Sequence, residues 1–314
     1  MSSQRVHSAQ YTVPVAAPAG VVYGLLADAP HWPVLLPSYV HVERIDRDGT
    51  EEDLRLWDLR HGQVRSCLAH RELRARDRRI EFEQRDALFP DRSVSGSWSV
   101  TPEGDDRCLL TLRQECPAGP GETPETLEAG VRAELAVLRE AAERWDRFDE
   151  LLLSFEDSGY VCGPPELVFD FLYRIEDWAE LVPHVERAEV SEDRPGVQAT
   201  VLHTCDPETG ETTVSESVRL CFPGAGRIVH KETVLPDLVA AHCGEWYLEP
   251  DASGVRVVSA HTVMLQERAV EAVLGGGARL VDARRYVRER LGRMNTEALS
   301  LVRWHAESAV RRLR

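Results

Sequence analysis

Two rhythms of apolar residues organise the chain. Residues 7 to 15, HSAQYTVPV, alternate apolar and polar side chains, which is the period of a strand with one buried face. Pro18 then opens a short helix with Val21, Val22, Leu25 and Leu26 as its apolar face, at a position where the missing N–H of proline costs nothing. The segment HWPVLLPS (31 to 38) predicts a second short helix. From 39 to 116 about six strand-like runs follow, separated by turn signals such as RDGT, RHGQ and EGDD, and predict an antiparallel meander. Over 123 to 152 the rhythm changes: Leu127, Val131, Leu135, Leu138, Ala142, Trp145 and Leu152 recur at three- and four-residue intervals, the stripe of one long helix.

The same order then recurs. PAGVVYGLLAD (18 to 28) overlies PPELVFDFLYR (164 to 174), and HWPVLLPS overlies DWAELVPH (177 to 184), at a constant spacing of 146. Further on GSWSVTP (96 to 102) overlies GEWYLEP (244 to 250) at 148, so a loop has gained two residues in between. A period this long is a whole domain rather than a solenoid unit, and 314 residues exceed what one core usually serves. Domains are therefore expected over 1–150 and 151–314, the second closing on a helix with Leu280, Val287, Leu291, Met294, Leu301 and His305 along it. The predicted class is α+β: two tandem curved antiparallel sheets, each wrapped round its C-terminal helix with a cavity between.

Composition narrows the partners. A net charge of -16 disfavours nucleic acid, which needs a basic stripe to displace counterions. No apolar run is long enough to cross a bilayer, and the opening MSSQRVHSAQYTV has no apolar signal core, so a cytoplasmic protein without a membrane partner is expected. Seven scattered cysteines fit neither a disulfide framework nor a thiolate metal site. The eleven histidines show no ligand spacing and there is no H-E-x-x-H, so no metal is expected. Gly275 to Gly277 suggest a helix break, RRYVRER (284 to 290) a solvated helix face, and the six arginines of RELRARDRRIEFEQR (71 to 85) a basic docking face.

The order of elements, the phrase HWPVLLPSY, the later tryptophan strand GSWSV and the duplication together resemble the polyketide aromatase/cyclases of the helix-grip (START-like) superfamily, in their di-domain form from bacterial type II polyketide synthases. The resemblance covers essentially the whole chain. It implies a cytosolic enzyme without metal or organic cofactor that receives a poly-β-ketone on an acyl carrier protein, closes the first ring by an aldol reaction and dehydrates it to an aromatic. It also implies a minimal polyketide synthase and a ketoreductase as associated proteins. Two positions match residues treated as functional in single-domain relatives, Tyr39 and Arg71.

The residues themselves are consistent with those roles. An arginine is a permanent fork of donors, suited to a carbonyl or an enolate rather than to proton abstraction. Strand alternation places Cys67, Ala69 and Arg71 on one face. Trp98 and Trp32 are candidates for an apolar wall, with Gln84 or Arg85 reaching in from the next strand. In the second copy Val185 stands at the place of Tyr39, and an ungapped alignment sets Ser217 opposite Arg71, which points to the first domain as the seat of chemistry. The second copy's polar candidates are Ser215, Ser217, Arg219, His203 and His261, beside Trp246. The rival reading is a non-catalytic carrier of hydrophobic ligands or a scaffold of the synthase, because a fold of this kind does not settle function.

Overall fold

The computed structural model describes residues 6–60, 62–87, 93–117, 123–205, 210 and 212–312, and divides into compact units of residues 1–148 and 149–314. The first unit opens on β1 (Val6–Val15), α1 (Ala19–Ala27) and α2 (Trp32–Leu35). Six strands follow: β2 (Tyr39–Asp48), β3 (Glu51–Arg60), β4 (Gln63–Arg74), β5 (Arg79–Asp86), β6 (Ser93–Pro102) and β7 (Cys108–Pro117). Then come α3 (Pro124–Glu143) and the short α4 (Phe148–Leu151). The strands form one antiparallel sheet in the order β1-β7-β6-β5-β4-β3-β2. Its inner face presents Tyr11, Leu54, Leu56, Ala69, Leu73, Ile80, Val100, Leu110 and Leu112, which pack with Leu135, Leu138 and Ala142 of α3 into one core.

Thr123 starts α3 by accepting a hydrogen bond from the Thr126 N–H at 3.3 Å, while the Thr126 hydroxyl accepts from the Thr123 N–H at 3.0 Å. The helix is shorter than its periodicity predicts. It stops at Glu143, and Leu152 begins a strand, because that residue pairs with Met264 in the second unit's sheet. Tertiary strand pairing overrides the helical spacing there.

The second unit repeats the plan with β8 (Leu152–Val161), α5 (Pro165–Tyr173) and α6 (Trp178–Leu181). Its other strands are β9 (Val185–Arg194), β10 (Val197–Cys205), β11 (Thr212–Phe222), β12 (Arg227–Val234), β13 (Val239–Pro250) and β14 (Val255–Leu265). Two helices close it, α7 (Val270–Leu274) and α8 (Leu280–Arg312), and the strand order β8-β14-β13-β12-β11-β10-β9 matches the first sheet. Gly275 and Gly277 adopt φ of 98° and 84° between the two helices, a conformation open to glycine.

Three expectations for this unit change. Met294 is exposed rather than part of the apolar stripe of α8. Within RRYVRER, Arg284 donates to the carbonyls of Asp149, Glu150 and Leu152, and Arg288 lies 2.6 Å from Asp157 of β8, so this face ties the helix to the sheet. The two inserted residues fall in the β10–β11 connection: Leu59 pairs with Val64 across the first hairpin, whereas Cys205 pairs with Thr212 across the second. From β11 through β13 the spacing is therefore 148, which places Arg219, not Ser217, at the position of Arg71; in β14 it is 147, since Ser259 pairs with Trp246 as Leu112 does with Trp98.

Candidate functional sites in the two units

Arg71 lies on the inner face of β4, opposite Glu52 of β3, and both residues are only 2% exposed. Its Nη1 donates to the carbonyl of Leu26 at 3.0 Å and its Nη2 to that of Ala27 at 2.9 Å, while Nη2 lies 2.7 Å from Glu52 Oε1. These carbonyls end α1, where a helix leaves acceptors without partners. The guanidinium also sits 5.1 Å from the centre of the Trp32 ring, whose Nε1 donates to the carbonyl of Leu25 at 3.1 Å. Burial lowers the pKa of Arg71, and Glu52 opposes that shift. The sequence suggests a guanidinium that meets a substrate carbonyl; in the structure Nη1 and Nη2 are engaged by the end of α1 and by Glu52, while the buried Nε makes no hydrogen bond.

Tyr39 begins β2 beside Trp32, with ring centroids 5.0 Å apart. Burial raises the phenol pKa well above its ordinary value, helped by the carboxylates of Glu134 and Asp58. Tyr39 pairs with Asp58 across the strands, and Asp58 Oδ2 accepts from Arg60 Nε at 2.5 Å. Burial opposes the Arg60 charge, but the ion pair with Asp58 outweighs it and holds the guanidinium charged. Glu134 faces the same group from α3, and burial raises its carboxyl pKa. Burial likewise pushes the Cys67 thiol up to about 12. Tyr39, Cys67 and Glu134 keep some accessible surface despite this desolvation. The arrangement offers a protonated phenol, a fixed cation and a carboxyl that accepts a proton readily. Asp58, Arg60 and Glu134 were not among the sequence candidates, since a carboxylate on an amphipathic helix and an ion pair near a strand end carry no local signature.

The remaining first-copy candidates divide by strand parity. Ala69, Gln84 and Trp98 share the inner face with Arg71, and Trp98 packs against the core beside Ile80 and Leu112. Arg85 points the other way and pairs with Glu83 at 3.0 Å, so it does not share that inner face. The arginine-rich segment is correspondingly less basic than it reads. Arg74 pairs with Glu72, Arg79 with Glu81 and Arg85 with Glu83, leaving little of a bare cationic stripe. A groove of about 740 Å³ does open on this outer face, bordered by Glu51, Glu72, Glu81, Arg79 and Arg113, on the side of the sheet away from α3.

In the second unit Arg219 repeats the clamp of Arg71. Its Nη2 donates to the carbonyl of Leu172, and its Nη1 to the carbonyl of Tyr173 at 3.3 Å and to Gln198 Oε1 at 2.8 Å. Trp178 Nε1 donates to the carbonyl of Phe171 at 3.0 Å, as Trp32 does to Leu25. Ser215 and Ser217 face inward, the latter 2.8 Å from Thr200 Oγ1, and Trp246 is a buried core residue. His203 lies on the opposite strand face from Leu202 and so points away from the interior.

His261 belongs to a chain of polar groups that the sequence reading did not assemble. Arg288 holds Asp157, whose Oδ2 accepts from Asn295 Nδ2 at 2.9 Å. That orientation turns Asn295 Oδ1 to His261 Nε2 at 3.1 Å, and an amide oxygen only accepts, so Nε2 carries the proton. The lone pair of His261 Nδ1 consequently faces His242 Nε2 at 2.9 Å. His230 stands beside both, with ring centroids 5.8 and 6.1 Å away. Burial lowers all three imidazole pKa values, to about 3 at His242, so the rings are neutral near pH 7. Glu232, two residues beyond His230 on the same strand, is driven by burial to about 8.

Comparison with known proteins agrees with this architecture. Models described as polyketide cyclase/dehydrase and lipid transport match residues 6–143 and 161–285. The chain is 34% identical over 99% of its length to the granaticin polyketide synthase bifunctional cyclase/dehydratase of Streptomyces violaceoruber, covering 97% of that protein. It is 32% identical over 93% of its length to the actinorhodin counterpart of Streptomyces coelicolor, covering 94% of it. Among solved structures, the di-domain ARO/CYC BexL from the BE-7585A pathway superposes with a TM-score of 0.85 at 33% identity over 96% of this chain and 99% of that one. The di-domain ARO/CYC StfQ from the steffimycin pathway does so with a TM-score of 0.86 at 29% identity and the same coverage. With both halves matched and the likeness running end to end, the chain belongs to the polyketide cyclase/dehydrase family.

Proposed function

We propose that this protein closes and dehydrates the first ring of a poly-β-ketone chain held on an acyl carrier protein, and that ring closure takes place in the first unit around Tyr39. The observation that carries this reading is the desolvated group of Tyr39, Asp58, Arg60 and Glu134 beneath α3, at a place where the second unit has Val185. An aldol closure removes a proton from a carbon flanked by two carbonyls and moves charge onto an oxygen. Tyr39, held protonated, donates to that oxygen, and Glu134 exchanges the proton. Preorganised donors of this kind stabilise charge more strongly inside a protein than in water. A cavity that folds a floppy chain into one reactive geometry removes much of the entropic barrier and the competing cyclisations.

Arg71 acts here as a positioning residue: it fixes the end of α1 and the face of Trp32 on which Tyr39 rests. The chain is expected to work with a minimal polyketide synthase and a ketoreductase. The test is product profiling of such a reconstituted system with wild type, Tyr39→Phe and Glu134→Gln. Wild type should redirect shunt products to an aromatised first ring, and each variant should lower that product while remaining folded. If both folded variants give the wild-type profile, the chemistry lies elsewhere and the reading fails. If wild type binds aromatic polyketides without changing the profile, the protein is a carrier.

A further inference from the structure

We propose that His230, His242 and His261 form a binding site for a divalent first-row transition ion, with zinc as the expected occupant, inside the second unit. Three adjacent strands, β12, β13 and β14, each supply one imidazole from the inner face, and one ring nitrogen from each lies within 4.8 Å of the other two. Nitrogens sharing a zinc ion at about 2.0–2.1 Å stand about 3.3 Å apart in tetrahedral geometry. The closest pair, His242 Nε2 and His261 Nδ1, is at 2.9 Å, and side-chain rotation of His230 covers the remainder. A metal here takes the place of the proton between those two nitrogens, and that proton moves to His242 Nδ1, so that both rings ligate as neutral imidazoles.

The surroundings favour ligation. Asn295 Oδ1, whose side chain is itself fixed by Asp157, accepts from His261 Nε2, which turns the Nδ1 lone pair toward His242; an outer partner on the far nitrogen is how metal-bound histidines are usually oriented. Burial keeps the rings neutral, the form that binds a metal. Gly244 makes the space: a Cβ there would lie 2.2 Å from His230 Cε1. Neutral imidazole nitrogens suit zinc, nickel and copper rather than magnesium or calcium. Three protein nitrogens leave a fourth position for water.

The duplication supplies an internal control. In the first unit, the strand register puts Phe82 opposite Gly96 and Gln114 on its other side, just as His230 and His261 flank Gly244. Two residues before each glycine stand Val94 and His242. The fold therefore accommodates Phe, Val and Gln at these places, and the three histidines of the second unit are not required by the sheet. The inference concerns ion binding and is separate from the ring closure assigned to the first unit.

The experiment is metal titration of the chelator-treated full-length protein with Zn²⁺, followed by elemental analysis, and with Co²⁺, read by its visible absorption. One equivalent of Zn²⁺ per chain is expected, with Co²⁺ giving the intense bands of a low-symmetry site. His230→Phe, His242→Val and His261→Gln should each weaken binding by at least about 100-fold, while His70→Ala, an exposed residue beside Asp53 in the first unit, leaves it unchanged. Imidazole NMR signals of the wild type give a readout that needs no variant: three should move on adding Zn²⁺. Absence of stoichiometric binding, three unmoved signals, or full binding by the triple variant overturns the proposal.

Discussion

Arg219 does in the second unit what Arg71 does in the first, each tying the last turn of a short helix to an inner strand, but the strand partner is Glu52 for Arg71 and Gln198 for Arg219. The first clamp is a buried ion pair and the second is a charge held by neutral acceptors. Removing Arg71 leaves the buried Glu52 carboxylate with Arg44 alone, whose Nε donates to Oε2 at 2.9 Å, and breaking a buried pair from one side costs up to about 3–5 kcal/mol. Both substitutions free two helix-end carbonyls, at about 1–3 kcal/mol each, so Arg71→Ala should lower the urea midpoint further than Arg219→Ala by the uncompensated part of the Glu52 charge. Equal losses from the two substitutions would argue that the Glu52 charge is not what matters.

Tyr39→Phe keeps the ring beside Trp32 and removes only the hydroxyl. Stability should change by less than about 1.5 kcal/mol, as for one hydrogen bond. Formation of the aromatised product should fall on the order of 10²-fold if the phenol takes part in proton transfer. Thermal unfolding and product yield, measured on one preparation, separate the two effects.

Glu134 sets a pH dependence. Burial raises its pKa above the ordinary 4.5, so the folded state binds more protons than the unfolded chain between those two values. Its favourable contribution is complete below 4.5 and is lost as the pH rises through the folded value. Glu134→Gln should therefore gain on wild type as the pH rises from 4.5 toward neutrality, in denaturant midpoints taken at each pH. A constant difference between the two proteins would show that this carboxyl titrates normally.

Gly244→Ala places a methyl group against His230. Overpacking of this size costs about 1–3 kcal/mol. The double variant Gly244→Ala with His230→Ala should recover part of that loss, a coupling visible in a double-mutant cycle of unfolding free energies. Simple additivity would place His230 elsewhere than over the glycine.

Much of this protein follows from local periodicity. The duplicated Trp-Pro phrase, the six-strand runs and the closing helices are short-range patterns, and the sequence determined the two helix-grip units from them. Strand parity also put Cys67, Ala69 and Arg71 on one face without any structure. What alternation leaves open is which neighbours meet that face. Nothing local shows that the end of α1, 44 or 45 residues away, and Glu52 on the neighbouring strand engage Nη1 and Nη2 of Arg71.

Register was the second limit. The inserted pair of residues lies between Cys205 and Thr212, and a two-residue slip preserves strand parity, so Ser217 and Arg219 fit the pattern of Arg71 equally well until the backbone pairing chooses. The histidines show the same reason most clearly. His230, His242 and His261 are 12 and 19 positions apart, without any ligand spacing, and only the antiparallel ladder of β12, β13 and β14 sets them side by side. The chain's own rhythm decided which faces of the two sheets are apolar, and long-range strand pairing decided which polar groups meet on them.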